Sequence, residues 1–167
     1  LNGALGRGYG PDAGAGRSYF YAAPVFGRDG RVLGAFVVST DLASVDYAWR
    51  GDTPPVFFTD GRGRVQVSNR SELVLWRRAD DGQGLRPPIG EAPVFEVSQS
   101  AGHEIWRLGW GPYLPQDALH LTQDLPVIGM TGEVLMDVAP VRSLAAWQAA
   151  AVAALSLAFG AFLFLAT

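Results

Sequence analysis

Ser18–Thr40, SYFYAAPVFGRDGRVLGAFVVST, is the stretch whose reading decides the fold. Aromatic and β-branched residues crowd Ser18–Phe26 and again Val32–Thr40, and such side chains suit a pleated, half-buried surface. Between them stands Gly27-Arg28-Asp29-Gly30, and Asp-Gly is a strong hairpin signal. The run therefore predicts two antiparallel strands. Alternation puts Arg17, Tyr19 and Tyr21 on one face of the first strand, with Ser18, Phe20 and Ala22 on the other. Directly downstream, Asp41 is placed to cap a short helix through Trp49, with Leu42, Val45 and Trp49 spaced along one side. Two strands and a helix in so few residues make a compact unit of α+β class.

Working outward, the glycine-rich residues 1–16 have little to bury and read as a loop or frayed edge. Residues 50–55 (RGDTPP) form a linker, because paired prolines stop a helix and favour extended chain. A second unit follows, with a strand at Val56–Thr59, a turn at Asp60-Gly61-Arg62-Gly63 and a strand at Arg64–Ser68. Pro55-Val56-Phe57 before Asp60-Gly61-Arg62 echoes Pro24-Val25-Phe26 before Asp29-Gly30-Arg31, which two hairpins sharing one turn chemistry explain. Ser71 is expected to cap a helical pattern through Arg77, and residues 79–93 to form a long loop. Short strands are expected at 94–98, 104–108, 118–122 and 133–138.

The last strand leads through Pro140 and Arg142 into an apolar run. Ala149–Ala166 has no charged, amide or proline side chain. Eighteen helical residues reach about 27 Å, close to the roughly 30 Å hydrocarbon core of a bilayer. Trp147 stands where an interfacial aromatic anchor belongs, and Ala153, Ala154, Ser156 and Gly160 leave room for close approach of another helix. Residues 144–166 are therefore expected to cross a membrane.

The 167-residue chain has a net charge of −3, and all 13 of its cations are arginine. No basic run suggests nucleic acid. The absence of cysteine removes disulfide frameworks and thiolate metal sites. The sequence opens on Leu rather than Met and stops as the helix ends, so both edges are expected to be cut from a longer protein.

GRSYFYAAPVFGRDGRVLGAFVVSTDLASVDYAW, followed by VFFTDGRGRVQVSN, resembles the extracytoplasmic sensor region of bacterial histidine kinases, in particular the four-carbon dicarboxylate transport sensors (DctB type). Arg17, Tyr19, Pro24, Val25, Gly34, Asp41, Leu42 and Trp49, then Asp60 and Val65, fall on that pattern, and LPVIGMTGEVLMDVAP is similar to its closing strand. The resemblance implies an α+β fold of PAS-like (Cache) antiparallel-sheet sensor domains followed by one transmembrane helix. Residues 1–49 would then be the C-terminal part of a membrane-distal domain, 50–55 the linker, 56–141 a membrane-proximal domain and 144–166 the span. It further implies a bacterial inner-membrane protein with residues 1–142 periplasmic, acting as a homodimer that signals to a response regulator. ATP and Mg would belong only to a kinase region beyond this stretch, which itself needs no cofactor. Sensor regions of chemoreceptors or cyclic-dinucleotide enzymes, and a tail-anchored partner-binding protein, are the rival readings.

In such a domain the ligand, a small organic anion, would lie on the first hairpin. Arg17, Tyr19, Tyr21, Ala22, Ser39 and Tyr9 are the implied ligand-binding residues, with Arg7 and Thr40 as further donors. The family tends to carry a hydroxyl residue where Ala22 stands and a lysine where Ser39 stands. A dianion needs several aimed donors to offset its desolvation, so dicarboxylates are expected to bind weakly here. With the upstream part of the distal domain expected to lie outside this stretch, Ser18–Thr40 should present exposed apolar strand surface.

No catalytic motif is found: neither a P-loop, a nucleophile elbow nor a zincin pattern occurs. His103-Glu104-Ile105-Trp106-Arg107 lies among glycines that favour a strand over the long helix a phosphoacceptor histidine needs. His103, Glu104 and His120 match no metal-ligand spacing, and Asp80-Asp81 reads as a solvated turn.

Overall fold

The computed structural model describes residues 5–11, 16–79, 83–90 and 95–166. Three strands open it: β1 (Gly6–Pro11), β2 (Arg17–Phe26) and β3 (Val32–Asp41), antiparallel in the order β1-β2-β3. The hairpin from Ser18 to Thr40 forms as expected, with Gly30 N donating to Gly27 O (3.0 Å) across its turn. β1 corrects the reading of residues 1–16 as a loop. Its Gly6, Gly8 and Gly10 lie opposite Ala22, Phe20 and Ser18, and Arg7 and Tyr9 alternate with them on the reverse face. That period of two was hidden by counting glycine as a breaker.

α1 (Leu42–Trp49) begins where Asp41 accepts from Ala43 N (3.0 Å) and Ser44 N (3.1 Å), which satisfies two of the orphan donors of the first turn. The Asp41 carboxyl is held below its usual value, first by its hydrogen bond with the Ser44 hydroxyl and then by the backbone N–H groups.

The larger sheet holds β4 (Val56–Asp60), β5 (Val65–Ser68), β8 (Phe95–Ser100), β9 (His103–Leu108), β10 (Asp117–Leu125) and β11 (Met130–Asp137). Its order is β5-β4-β11-β10-β9-β8, all antiparallel, so the last strand inserts beside the first. The β4–β5 turn repeats the first hairpin's chemistry: Gly63 N donates to Asp60 O (2.8 Å), and Asp60 Oδ1 accepts from Arg62 N and Arg64 N. Gly63 has φ +69°, and a Cβ there would lie 2.7 Å from that of Arg78, so only glycine serves.

The helix expected from Ser71 to Arg77 is a single 3-10 turn, Ser71–Leu73, entered from Arg70 without a side-chain cap. The chain then becomes β6 (Arg77–Arg78), paired with β7 (Leu85–Arg86) inside the stretch expected to be all loop. Backbone bonds decide this: Val65 N donates to Trp76 O and Arg78 N to Gly63 O, drawing the segment alongside β5. Asp80-Asp81 lies outside the described residues.

This covering segment closes the core. Phe57, Val65, Trp106, Ala118 and Leu135 from the sheet meet Leu73, Leu85, Trp110 and Leu114 from above. Trp106, Trp110, Phe95 and Trp76 stack in a chain with ring centroids 5.0–6.0 Å apart. Each such pair adds about 0.5–1.5 kcal/mol beyond the area it buries.

Finally, α2 runs from Ala139 to Ala166, five residues earlier than residue 144. Pro140 fits the first turn, where no N–H is needed. From Ala139 to Phe162 the helix is long and apolar enough to cross a membrane, and none of its most apolar stretch is buried.

Candidate functional site

Arg7, Tyr9, Arg17 and Tyr19 of the first sheet reach elements of the second. Arg17 pairs with the buried Asp46 of α1 and donates to Gln66 O of β5. The same Asp46 accepts from Ser68 N (2.8 Å), so one carboxylate ties β2, α1 and β5 together. Tyr9 and Tyr19 pack ring against ring at 5.3 Å and aim their hydroxyls at Ile128 O (3.4 and 3.2 Å). Arg7 donates to Val127 O (2.9 Å). Gly129, at φ +66°, admits this approach, since a Cβ there would sit 2.7 Å from Arg7 Nε. The surroundings suppress ionisation of Tyr9, whose pKa is pushed up to about 12, chiefly by burial and then by Tyr19 and Asp60. It remains a hydroxyl donor throughout the physiological range.

Strand alternation divides the six residues implied by the resemblance. Arg17, Tyr9, Tyr19 and Tyr21 lie on the face turned toward the second sheet, and Arg7 opposes Tyr21 there. Ala22 and Ser39 lie on the reverse face, where Ser39 opposes Phe20. Tyr21 is 38% exposed. Next to the joint is a groove of about 470 Å³ lined by Arg7, Tyr9, Asp60, Arg62, Arg64 and Gly129, among others.

The Val127–Gly129 turn held by Arg7, Tyr9 and Tyr19 is the turn that opens β11. Eight residues later, about 26 Å along an extended strand, β11 ends and α2 begins. The junction is tied on both sides. Ala139 N donates to Asp137 Oδ1 (2.8 Å), Val138 N donates to Asp117 O (3.1 Å), and Arg142 pairs with the Asp117 carboxylate at 2.8 Å.

Midway along β11 lies a polar centre that the sequence did not announce. Glu133 is fully buried, and its carboxylate meets Arg78 of β6, Thr59 (2.8 Å) and His120 Nε2 (2.7 Å). His120 Nδ1 faces Glu104 at 3.1 Å, and the Trp106 indole N–H donates to the same oxygen at 3.1 Å. The imidazole also stacks on Trp106 with centroids 3.8 Å apart. Burial opposes ionisation of Glu133, but the His120 hydrogen bond and the Arg78 charge outweigh it and hold its pKa below the usual value. Glu104 is likewise held low, first by Trp106 and then by His120. A signal was available: on a strand reading, Glu104, Trp106, His120 and Glu133 all sit at inward positions of their alternations. Among the described residues no group of three or more side chains is arranged to hold a metal ion.

No family model matches the chain, and no curated protein matches it either. Solved structures do. The sensor domain of the histidine kinase DctB from V. cholerae superposes with a TM-score of 0.57 at 22% identity, over 81% of this chain and 56% of that one. The periplasmic domain of RsbU from Chlamydia trachomatis gives 0.55 at 12% identity, over 86% of this chain and 58% of that one. The chain thus spans little more than half the length of these structures. At such identities the likeness establishes a common fold with these two domains.

Proposed function

We propose that this chain is the signal-input region of a membrane-bound sensor, with the β-sheet part outside the cytoplasm of a bacterial cell and α2 carrying the signal through the inner membrane. The observation that supports this best is the continuity just described. Side chains of the first sheet hold the turn that opens β11, and β11 runs directly into the apolar helix. A ligand that prefers one setting of that joint would bias the position of the helix, provided it binds the two settings unequally.

The ligand class is a small organic anion. Arg17, Tyr19, Tyr9 and Tyr21 on one face of the first sheet, with Ala22 and Ser39 on its reverse face, are the residues proposed to act on it, and monocarboxylates should be favoured because Ala22 lacks a hydroxyl and Ser39 an ammonium. The output is a histidine kinase working as a homodimer with a response regulator, the fold being that of the DctB sensor domain. A chemoreceptor output uses the same input and is the second reading. ATP and Mg would bind only a kinase region, never these residues.

Calorimetry on the intact sensor protein with succinate, malate, acetate and lactate tests the ligand class. Binding of one acid that weakens about tenfold or more in Arg17→Ala is expected, since a charged hydrogen bond is typically worth ~1.5–3 kcal/mol. Tight succinate binding indifferent to Arg17→Ala would overturn both site and specificity.

A further inference from the structure

Three arginines meet at one register, Arg64 just before β5, Arg77 of β6 and Arg86 of β7. Arg64 bridges Arg77, and Arg77 stands directly opposite Arg86 in the β6–β7 pair. Residues paired in this way project to one face, and like charges there repel. None of the three has an ion-pair partner among the described residues. They converge on a concavity of about 400 Å³ whose remaining wall is Leu75, Arg78, Pro87 and Pro88. Leu75 itself has φ +69°, an uncommon setting for a residue with a branched side chain. A fold that gathers three guanidinium groups around a pocket, none with an ion-pair partner among the described residues and at a cost in repulsion and local strain, is matched to an occupant carrying several closely spaced negative charges.

The geometry points to a binding site for a multivalent oxyanion, of the pyrophosphate or tricarboxylate kind, held by Arg64, Arg77 and Arg86. Guanidinium groups suit this role because their planar forks bind paired oxygens bidentately. A macromolecular acidic surface fits less well, since the arginines line a pocket with proline walls rather than an open face. Apart from Arg64, which also borders the groove beside the hairpin joint, the site uses none of the residues of that joint. It is also connected to the output strand: Arg78, next to Arg77, borders the same cleft and pairs with Glu133 of β11. That connection matters only if the sensor reading holds; anion binding does not depend on it.

The test uses the full chain in detergent micelles, with pyrophosphate and citrate as probes and chloride as the control. Saturable binding is expected for at least one probe, weakening tenfold or more in Arg77→Gln/Arg86→Gln and unchanged in Arg31→Gln, which removes an exposed arginine of the first hairpin. Thermal melting supplies a second readout. Without anion, the double variant should melt at or above the parent's temperature because the cross-strand repulsion is relieved. With anion, only the parent should gain. Absence of saturable binding by either probe, or equal affinity in parent and double variant, overturns the assignment. So does a double variant that melts lower than the parent, because the arginines would then be structural. Failure here would leave the hairpin carboxylate titrations untouched, and the converse also holds.

Discussion

Arg78 and Glu133 form an ion pair inside the larger sheet's covered face, with the Glu133 side chain wholly buried and that of Arg78 one-quarter exposed. The pair joins the covering segment to β11, the strand that continues into α2. Removing one partner of a buried pair leaves an uncompensated charge, which costs about 3–5 kcal/mol. Arg78→Met should therefore destabilise by roughly 3 kcal/mol, the lower end applying because Arg78 is partly exposed. Glu133→Gln should cost a similar amount, since the amide cannot serve Arg78, His120 and Thr59 as the carboxylate does. In a double-mutant cycle followed by tryptophan fluorescence, the two changes should couple by about 1–3 kcal/mol. Additive losses would show that the pair contributes nothing as a pair.

Acid should weaken the fold through the same centre. Glu133 and Glu104 both titrate below their ordinary value of 4.5 when folded. As pH falls, the unfolded chain takes up these protons first, so stability is complete above the ordinary carboxylate range and is lost as pH drops through the lowered folded values. The melting temperature should stay level from neutral pH to about 5 and then decline. Glu133→Gln should flatten the decline. An identical acid slope in the variant would place the acid sensitivity elsewhere.

Exposed apolar surface on β3 gives a third prediction. Leu33, Phe36, Val37 and Val38 are each at least half exposed, and β3 is an edge strand of its sheet. Edges of this composition template intermolecular pairing. Val37→Lys should raise the concentration at which the chain aggregates without lowering its melting temperature, read by light scattering during purification. Unchanged aggregation would mean that another surface governs it.

Much of this architecture was legible because two periods dominate. The hairpin of Ser18–Thr40, the Asp41 cap and the apolar helix each follow from local chemistry that tertiary contacts reinforce. Strand β1 was not legible, since Gly6, Gly8 and Gly10 were weighed as breakers while the alternating Arg7 and Tyr9 carried the pattern. The covering segment also escaped. Its single 3-10 turn and two-residue strand are set by backbone bonds to Val65 and Gly63, which no periodicity in residues 71–79 encodes. Candidate residues differ: Arg17 and Tyr19 belong to the hairpin and Tyr9 to the segment before it, but their protein partners, Asp46, Gln66 and Ile128, lie far away in sequence. The polar centre needed three strands in register before Glu104, His120 and Glu133 could be seen to meet.

The proposed function puts the sheets outside the cytoplasm. A reporter fused after Arg142 should show activity of the extracytoplasmic kind, alkaline phosphatase on and β-galactosidase off. The opposite pattern would put the sheets in the cytoplasm and remove the sensor reading, whatever the fold.

The junction between strand and span is the last place where the mechanism can be tried. Three contacts fix it: the Asp137 carboxylate on Ala139 N, the Asp117 carbonyl on Val138 N, and the Asp117 carboxylate on Arg142. The first is a side-chain bond to the N–H of the first helical residue, typically worth about 0.5–1.5 kcal/mol. The third is a surface ion pair, worth roughly 0.2–1 kcal/mol, and Asp117 shares it with Arg107 at 3.5 Å. These sums are small beside the stability of a folded domain, so Asp117→Asn/Asp137→Ala should leave the global melt nearly unchanged. They are large enough to hold one helical turn, however, and under the proposed function that turn would transmit motion of β11 to the membrane. A nitroxide at position 143 should therefore gain mobility in the double variant, while one at position 147, a turn deeper, should not. Equal mobility at 143 in parent and variant would mean that the strand and the helix are joined by something other than these two aspartates. A gain at 147 as well would mean that the helix start is frayed over more than its first turn, and a rigid transfer from β11 to α2 would have to be abandoned.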